Sequence, residues 1–557
     1  MEPSLPPHLP AMIAKSISLH RSKVALAAVG GTSLTFEDFG CLVAAARDRL
    51  KAEGVNPGDH VGILSENRVQ WGIAFFAIMT LGGVAVPILP DFTPGDIENI
   101  LLHSGCSALF ISAKLSQRFT PSRIAALRVV LPIEELTDHR NGTTWDESLL
   151  TPPPSVTSES LAAIVYTSGT TGFSKGVMLS HRNFIAEATG VTEMVEISQV
   201  DRLLSILPLA HTYECTLGMI TPLHVGASVY YLDRPPSAGV LLPAMASVKP
   251  TVILSVPLII EKIYKSKIQP QLANLGLRPI MKTPLLKTAV IRLIGRKLRR
   301  TFGGDLRLFC IGGAPLAADV EQFLRAARFP YAIGYGLTET APLAFGDAPR
   351  ATKFRATGRA LRNVEIRIDN PDPATGEGEI LLKGPNVMMG YYNDPQRTAE
   401  VLSSDGWLRT GDSGVLDHDG YLYIKGRLKN MILGPSGKNI YPEEIESALN
   451  EFDLVIESLV LEEQNRLIAR AHLNYEEVKR RFSLDNKPEH QVKEHIAAVL
   501  EEIRTKLNEK LAHFSRIHRI IDHPEPFEKT PTQKIKRHLY QPVPSALTGD
   551  RNKKSVS

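Results

Sequence analysis

The stretch that most constrains this chain is Tyr166-Thr-Ser-Gly-Thr-Thr-Gly-Phe-Ser-Lys175-Gly-Val, which follows directly on an apolar, strand-like run over residues 161–165. Gly169, Gly172 and Gly176 tolerate positive φ and a close backbone approach. The Thr and Ser hydroxyls, the free N–H groups and the Lys175 ammonium are all donors, so such a loop can wrap a polyphosphate. No G-x-x-x-x-G-K-[ST] register fits, which excludes a Walker A loop. A Gly/Thr/Ser loop taken by itself reads as a polar surface turn. The full pattern placed straight after a strand favours phosphate.

The surroundings read as α/β. Thr35 with Asp38 resembles a capping box, with Phe39, Leu42, Val43, Ala46 and Leu50 on one helical face and Gly54 as a stop. Residues 60–64 and 108–111 read as strands. Residues 69–90 carry no charge but contain Gly82-Gly83, Pro87 and Pro90. They read as a buried helix, a glycine turn and a buried strand rather than a membrane span. Repeated strand–helix–strand units predict a mostly parallel sheet covered on both faces. Residues 151–157 read as a linker. From about Gly358, period-two alternation over 364–368 and 378–382 predicts an antiparallel β subdomain. Beyond Gly426 a helix from Pro442, a strand near Leu459 and a charged helix around 489–512 follow, and 545–557 is polar enough to be disordered.

Three further segments carry candidate chemistry. Gly334-Tyr335-Gly336-Leu337-Thr338-Glu339-Thr340 offers an aromatic ring for a base and a carboxylate for a hard cation such as Mg²⁺. Just upstream, Gly312-Gly313-Ala314-Pro315 follows a strand predicted over 306–311, at the strand end where open α/β sheets bind ligands. Asp405-Gly-Trp407-Leu-Arg-Thr-Gly-Asp412 leads on to Gly426-Arg427-Leu-Lys429. Asp412 can accept two ribose hydroxyls and Arg427 can reach ribose or phosphate, but a β-hairpin with Asp in its turns explains the segment equally well. Lys529-Thr-Pro-Thr-Gln-Lys534-Ile-Lys536-Arg537 lies near the C-terminus, where lysines are ordinarily solvated.

Composition sets the outer limits. The 557 residues hold 63 Lys+Arg against 59 Asp+Glu, a net charge of +4. That argues against a disordered chain and against a nucleic-acid partner. The length predicts more than one domain. The four cysteines form no CxxC pair, so neither a zinc site nor a disulfide framework is expected and a reducing compartment is. The proline-rich start shows no signal-peptide pattern.

Taken together and in this order, the segments resemble the adenylate-forming superfamily of acyl-CoA synthetases, adenylation domains and luciferases, over about residues 15–540. The resemblance implies two doubly wound α/β subdomains and a β subdomain over 1–426, and a small mobile α+β domain over 427–544. It implies that Thr167, Ser168, Gly169, Thr170, Thr171, Gly172 and Lys175 cradle the phosphates of ATP. Gly313, Ala314 and Pro315 would line the adenine pocket with Tyr335, Gly336 would also bind the nucleotide, and Thr338 would touch phosphate or acyl carboxylate. Glu339 would bind Mg²⁺, while Asp412 and Arg427 would hold the ribose. Lys534 would be the adenylation lysine, Lys429 the hinge, and Gly437 and Lys438 would approach the thiol tunnel. His211 would gate acyl and thiol tunnels, although by itself it reads as a core histidine. Ser174 stands where the family usually has Pro, and Gln533 where many members have Gly.

Within the superfamily, 405–412 and 436–446 look most like long-chain fatty acid–CoA ligases. The implied reaction joins a fatty acid to CoA with ATP and Mg²⁺. A phosphopantetheine on an acyl carrier protein is the alternative acceptor, and a non-catalytic nucleotide or acyl binder the reading from another class. Residues 262–304 hold eleven Lys/Arg and no Asp or Glu. That basic stretch is expected to be a solvated surface, a CoA attractor or a peripheral contact with an anionic leaflet. The implied location is cytoplasmic, at most peripheral to the inner face of a membrane.

Overall fold

The computed structural model describes residues 5–119, 127–138, 144–167, 175–272, 283–434, 438–464, 466–484, 487–530 and 534–541. The described residues up to Ile424 form one compact unit, and those from Lys425 onward a second.

Two seven-stranded sheets organise the first unit. One runs in the order Gly390–Tyr391, Lys175–Ser180, Leu161–Thr167, Val84–Ile88, His60–Leu64, Cys106–Ile111, Val129–Pro132. Its last five strands are parallel, and the two at the other edge are antiparallel. The second sheet runs Tyr331–Ile333, Leu308–Ile311, Val252–Ser255, Arg202–Ser205, Ser228–Tyr231, Val24–Ala28, Ser33–Thr35. It is parallel except for the final hairpin. The expected mostly parallel α/β organisation is therefore present twice. The strand expected from Leu306 begins at Leu308, and the N–H groups of Arg307 and Leu308 both donate to the Thr251 carbonyl, so the ladder is irregular at its start.

Local sequence explains the main helices. Thr35 and Asp38 close a reciprocal capping box on helix Phe36–Ala52. The charge-free segment forms helix Val69–Leu81, Gly82 at φ 82°, and strand Val84–Ile88. This helix has no solvent face, since all but Gln70 of its residues are buried. Trp71 stacks on Phe75, Phe75 meets Phe184 edge-on, and Gly72 lies so close to Leu26 that a Cβ would sit 3.1 Å from its Cδ1. Such all-round burial stabilises by ~1.5–3 kcal/mol per large apolar side chain. Helix His181–Val195 starts from Ser180, whose capping box with Asn183 leaves the Asn183 amide to donate to Pro385 and Val387 carbonyls at 2.8 Å each.

The predicted β subdomain is a four-stranded sheet, Glu365–Asp369, Gly378–Lys383, Leu408–Leu416, Leu422–Arg427. Its first three strands are antiparallel neighbours.

The second unit has a three-stranded sheet, Val455–Glu463, Arg466–Leu473, Arg519–Asp522, packed with helices Pro442–Leu449 and Glu489–Lys510. The helix from Pro442 and the long charged helix lie where the sequence places them. Arg537 pairs with Glu446 and donates to the Val460 carbonyl, so it braces this unit.

Candidate active site

The phosphate-loop candidate is framed by two adjacent antiparallel strands, with Thr167 paired to Lys175. Ser168, Gly169, Thr170, Thr171 and Gly172 lie outside the described residues. Lys175, half-buried, holds its ammonium 4.7 Å over the ring of Tyr391. Tyr391 sits on the edge strand Gly390–Tyr391, opposite Val177. Its hydroxyl donates to Glu339 Oε1 at 2.9 Å. One buried tyrosine thus brings the candidate phosphate cation and the candidate Mg²⁺ carboxylate onto the same side chain.

Glu339 is carried by a single 3₁₀ turn, Thr338–Thr340, which also carries Thr338. The turn is pinned from several sides. The Leu337 N–H donates to Thr340 Oγ1, the Met388 N–H to the Glu339 carbonyl, and the Asn386 amide to the Thr340 and Leu343 carbonyls. Glu187, fully buried, accepts the Leu343 N–H at 3.0 Å. Burial pushes its carboxyl well above the ordinary range, against the hydrogen bonds from the Leu343 N–H and the Asn386 side chain.

Gly312–Pro315 and Gly334–Thr340 follow two adjacent parallel strands at their C-terminal ends. Gly313, at φ 87°, Ala314 and Pro315 are exposed there. Close approach explains Gly336: a Cβ at that position would lie 1.9 Å from the Pro342 carbonyl oxygen. Tyr335 exchanges two backbone hydrogen bonds with Phe345, and its hydroxyl donates to Asp412 Oδ2 at 2.6 Å. Asp412 is 3 % exposed, on strand Leu408–Leu416. The adenine and ribose candidates of this unit are therefore joined directly.

His211 lies half-buried just before a π-helix, Tyr213–Ile220, and its Nδ1 accepts the Tyr213 N–H at 3.2 Å. Glu214 in that helix is 1 % exposed. Burial pushes its carboxyl up to about 8, against the opposing hydrogen bonds of the Ser205 hydroxyl and the Leu207 N–H. Asn67 grips the same segment, donating to Ser205 Oγ and the Leu207 carbonyl and accepting from Leu209 N–H. The approach to His211 is thus fixed by an interior polar network. π-Helical turns are rare and concentrate at functional sites.

In the second unit, Arg427 ends strand Leu422–Arg427 and Lys429 lies exposed in the 3₁₀ turn Leu428–Asn430. The Lys438 ammonium is 4.9 Å over the Phe514 ring, and Gly437 lies outside the described residues. Lys534 is exposed, with its backbone tied to Thr530 by two hydrogen bonds. Lys529 pairs with Glu457 at 2.6 Å and is structural.

The family pattern of AMP-binding enzymes matches residues 13–392. The chain belongs to that family. A long-chain-fatty-acid–CoA ligase, FadD15 of Mycobacterium bovis, is 32 % identical over 466 residues, 77 % of this chain and 75 % of the relative. The 4-coumarate–CoA ligase 2 of Oryza sativa subsp. japonica is 29 % identical, across 83 % of this chain and 82 % of its own. The o-succinylbenzoate CoA synthetase of Bacillus subtilis, solved with its acyl-adenylate intermediate, superposes with a TM-score of 0.76 at 23 % identity, covering 96 % and 98 % of the two chains. That likeness establishes the adenylate-forming α/β fold. The family and these relatives support an AMP-forming acid–CoA ligase and leave the acid open.

Three residues around the Glu339 turn were not marked by any motif. Tyr391, Asn386 and Glu187 act on the Glu339 turn from distant strands and helices, so no local spacing marks them. Glu214 had a signal: it is the sole carboxylate in the apolar stretch 207–223.

Proposed function

We propose that the chain converts a long-chain fatty acid to its acyl-adenylate with ATP and passes the acyl group to CoA. The convergence of Lys175 and Glu339 on Tyr391 carries the adenylation reading. The similarity to a long-chain ligase supports the fatty substrate.

In the first step the fatty carboxylate oxygen attacks the α-phosphorus of ATP, and pyrophosphate leaves. Both reactants are anions, so positioned cations and N–H donors lower the barrier, and alignment counts as much as charge. Lys175 and the N–H groups around Thr167–Gly172 would receive the phosphates, with Lys534 supplied by the second unit. Asp412 and Arg427 would hold the ribose, and Tyr335 with Gly313, Ala314 and Pro315 the adenine.

Mg²⁺, when bound, would supply positive charge to the leaving pyrophosphate. Among the described residues no group of three His, Cys, Asp or Glu gathers as a metal cage. A single carboxylate, Glu339, oriented by Tyr391, suits an ion that keeps waters and phosphate oxygens as its other ligands.

In the second step the CoA thiolate attacks the acyl carbonyl and AMP leaves. Residues 427–544 would turn about Gly426–Lys429 between the steps, withdrawing Lys534 and bringing Gly437 and Lys438 to the thiol, with His211 at the gate between tunnels.

AMP release from ATP with saturated acids of increasing length and with 4-coumarate, each with and without CoA, tests the reading. CoA-dependent release that is highest with long-chain acids is the expected result. A preference for the aromatic acid overturns the substrate, and pyrophosphate release that CoA does not accelerate points to an acyl carrier protein as acceptor.

A further inference from the structure

Helix Pro284–Thr301 is built as two halves. It packs through Ile291, Gly295 and Leu298, and Gly295 lets Ala327 so close that a Cβ would lie 2.7 Å from it. The other face does the opposite of what a soluble helix needs. Leu285 is 84 % exposed, Leu286 50 % and Leu293 62 %. Among the described residues no other helix or strand leaves more than one large hydrophobic exposed. Towards the C-terminal end, Arg292, Arg296, Lys297, Arg299 and Arg300 are exposed, and none of them pairs with a carboxylate among the described residues. Elsewhere on this unit surface arginines do pair, as Arg128 does with Asp59, Arg359 with Asp347 and Arg362 with Glu193.

At about 100° per residue, Leu285, Leu286, Ala289 and Leu293 share the half of the helix that also carries Arg292, Arg296, Lys297 and Arg300, opposite Ile291 and Leu298. A run of exposed leucines continuing into unpaired cations matches the interface of an anionic bilayer, where apolar side chains enter and basic ones meet headgroups. No described helix is long and apolar enough to cross a membrane.

We propose that helix Pro284–Thr301 docks the protein on an anionic lipid surface. The leucines of its first turns enter the interface, and Arg292, Arg296, Lys297 and Arg300 rest on the headgroups. The purpose of this docking rests on the long-chain reading above, since such acids partition into bilayers; the docking itself does not.

Flotation of the full-length protein with phosphatidylcholine vesicles, with and without phosphatidylglycerol and at low and high salt, tests it. The wild type should float with the anionic vesicles and lose binding as salt rises. Each cation near such a surface is worth roughly fivefold in partitioning, so the Arg292→Glu/Arg296→Glu pair should weaken binding by about tenfold or more. Leu285→Ser/Leu293→Ser should weaken it at either salt. AMP release with a soluble short acid should be unchanged in both variants, which shows that they are folded. Absence of flotation, or flotation indifferent to both variants, overturns the proposal. So does binding of an acidic acyl carrier protein, in place of vesicles, that the charge reversal abolishes. Flotation without long-chain turnover would fail the substrate reading and leave the docking surface standing; long-chain turnover without flotation would do the reverse.

Discussion

Tyr391 donates a 2.9 Å hydrogen bond to Glu339 from 52 positions away in the chain, while its ring carries the Lys175 ammonium. The phenol therefore sets where the carboxylate points. Tyr391→Phe keeps the ring and removes the donor. A hydrogen bond to a charged group is worth ~1.5–3 kcal/mol, so the Mg²⁺ concentration for half-maximal pyrophosphate exchange should rise about tenfold or more. A variant with the wild-type Mg²⁺ requirement would remove Tyr391 from the site.

Lys534 and the thiol-side residues have separable tasks in the proposed reaction. Lys534→Ala should abolish formation of acyl-adenylate and leave thioester formation from supplied acyl-adenylate nearly intact. Quenched single-turnover assays of the two half-reactions check this. Equal loss of both would show that the lysine serves the fold or the second step instead.

Gly336 has no room for a methyl group. A Cβ 1.9 Å from the Pro342 oxygen and 2.9 Å from the Ala344 nitrogen forces the backbone itself to move. Gly336→Ala should cost about 2 kcal/mol or more of stability, as overpacking of a tight site does, and weaken ATP binding alongside. Urea unfolding and titration with ATP would read both. Wild-type behaviour in both would mean that the Gly334–Thr340 loop is not held as described.

Glu214 ties stability to pH in a stated direction. An ordinary glutamate carboxyl titrates near 4.5, and burial raises this one to about 8 in the folded protein. Between those values the folded chain keeps a proton that the unfolded chain has released, so stability falls as pH rises through the window. Tyr213, Cys215 and Tyr231 beside it are also pushed upward and stay protonated there. Glu214→Gln removes the titration, so its urea midpoint should fall less than that of the wild type between about pH 5 and pH 8. Glu187 contributes the same trend to both proteins. Parallel pH profiles would refute a neutral, buried Glu214.

What the sequence revealed was what is local. The Thr35–Asp38 box, the turn at Gly82 and the alternation in Glu365–Asp369 each depend on neighbours a few residues away, and each lies where its pattern places it. The family motifs were legible for the same reason, as contiguous strings. The support behind them was not. Asn386 reaches the Glu339 turn across 46 positions, and Glu187 reaches Leu343 across 156. The π-helix after His211 left no periodic trace, because a widened turn changes the hydrogen-bond partner without changing the residue types that suit it. The strand at Leu308 starts late because the Arg307 and Leu308 N–H groups share the Thr251 carbonyl, a long-range partner, instead of taking successive ladder positions.

The chain order of the second sheet sets a timetable for synthesis. Strand Val24–Ala28 pairs in parallel with Ser228–Tyr231, with Leu26 opposite Val229. The strands of the other sheet, except its Gly390–Tyr391 edge, all lie between these two in the sequence. At ~5–20 residues per second of translation, an apolar strand made at the outset waits roughly ten to forty seconds for its partner. During that interval the emerging chain can begin to assemble one sheet while the other has only its first hairpin, Val24–Ala28 with Ser33–Thr35.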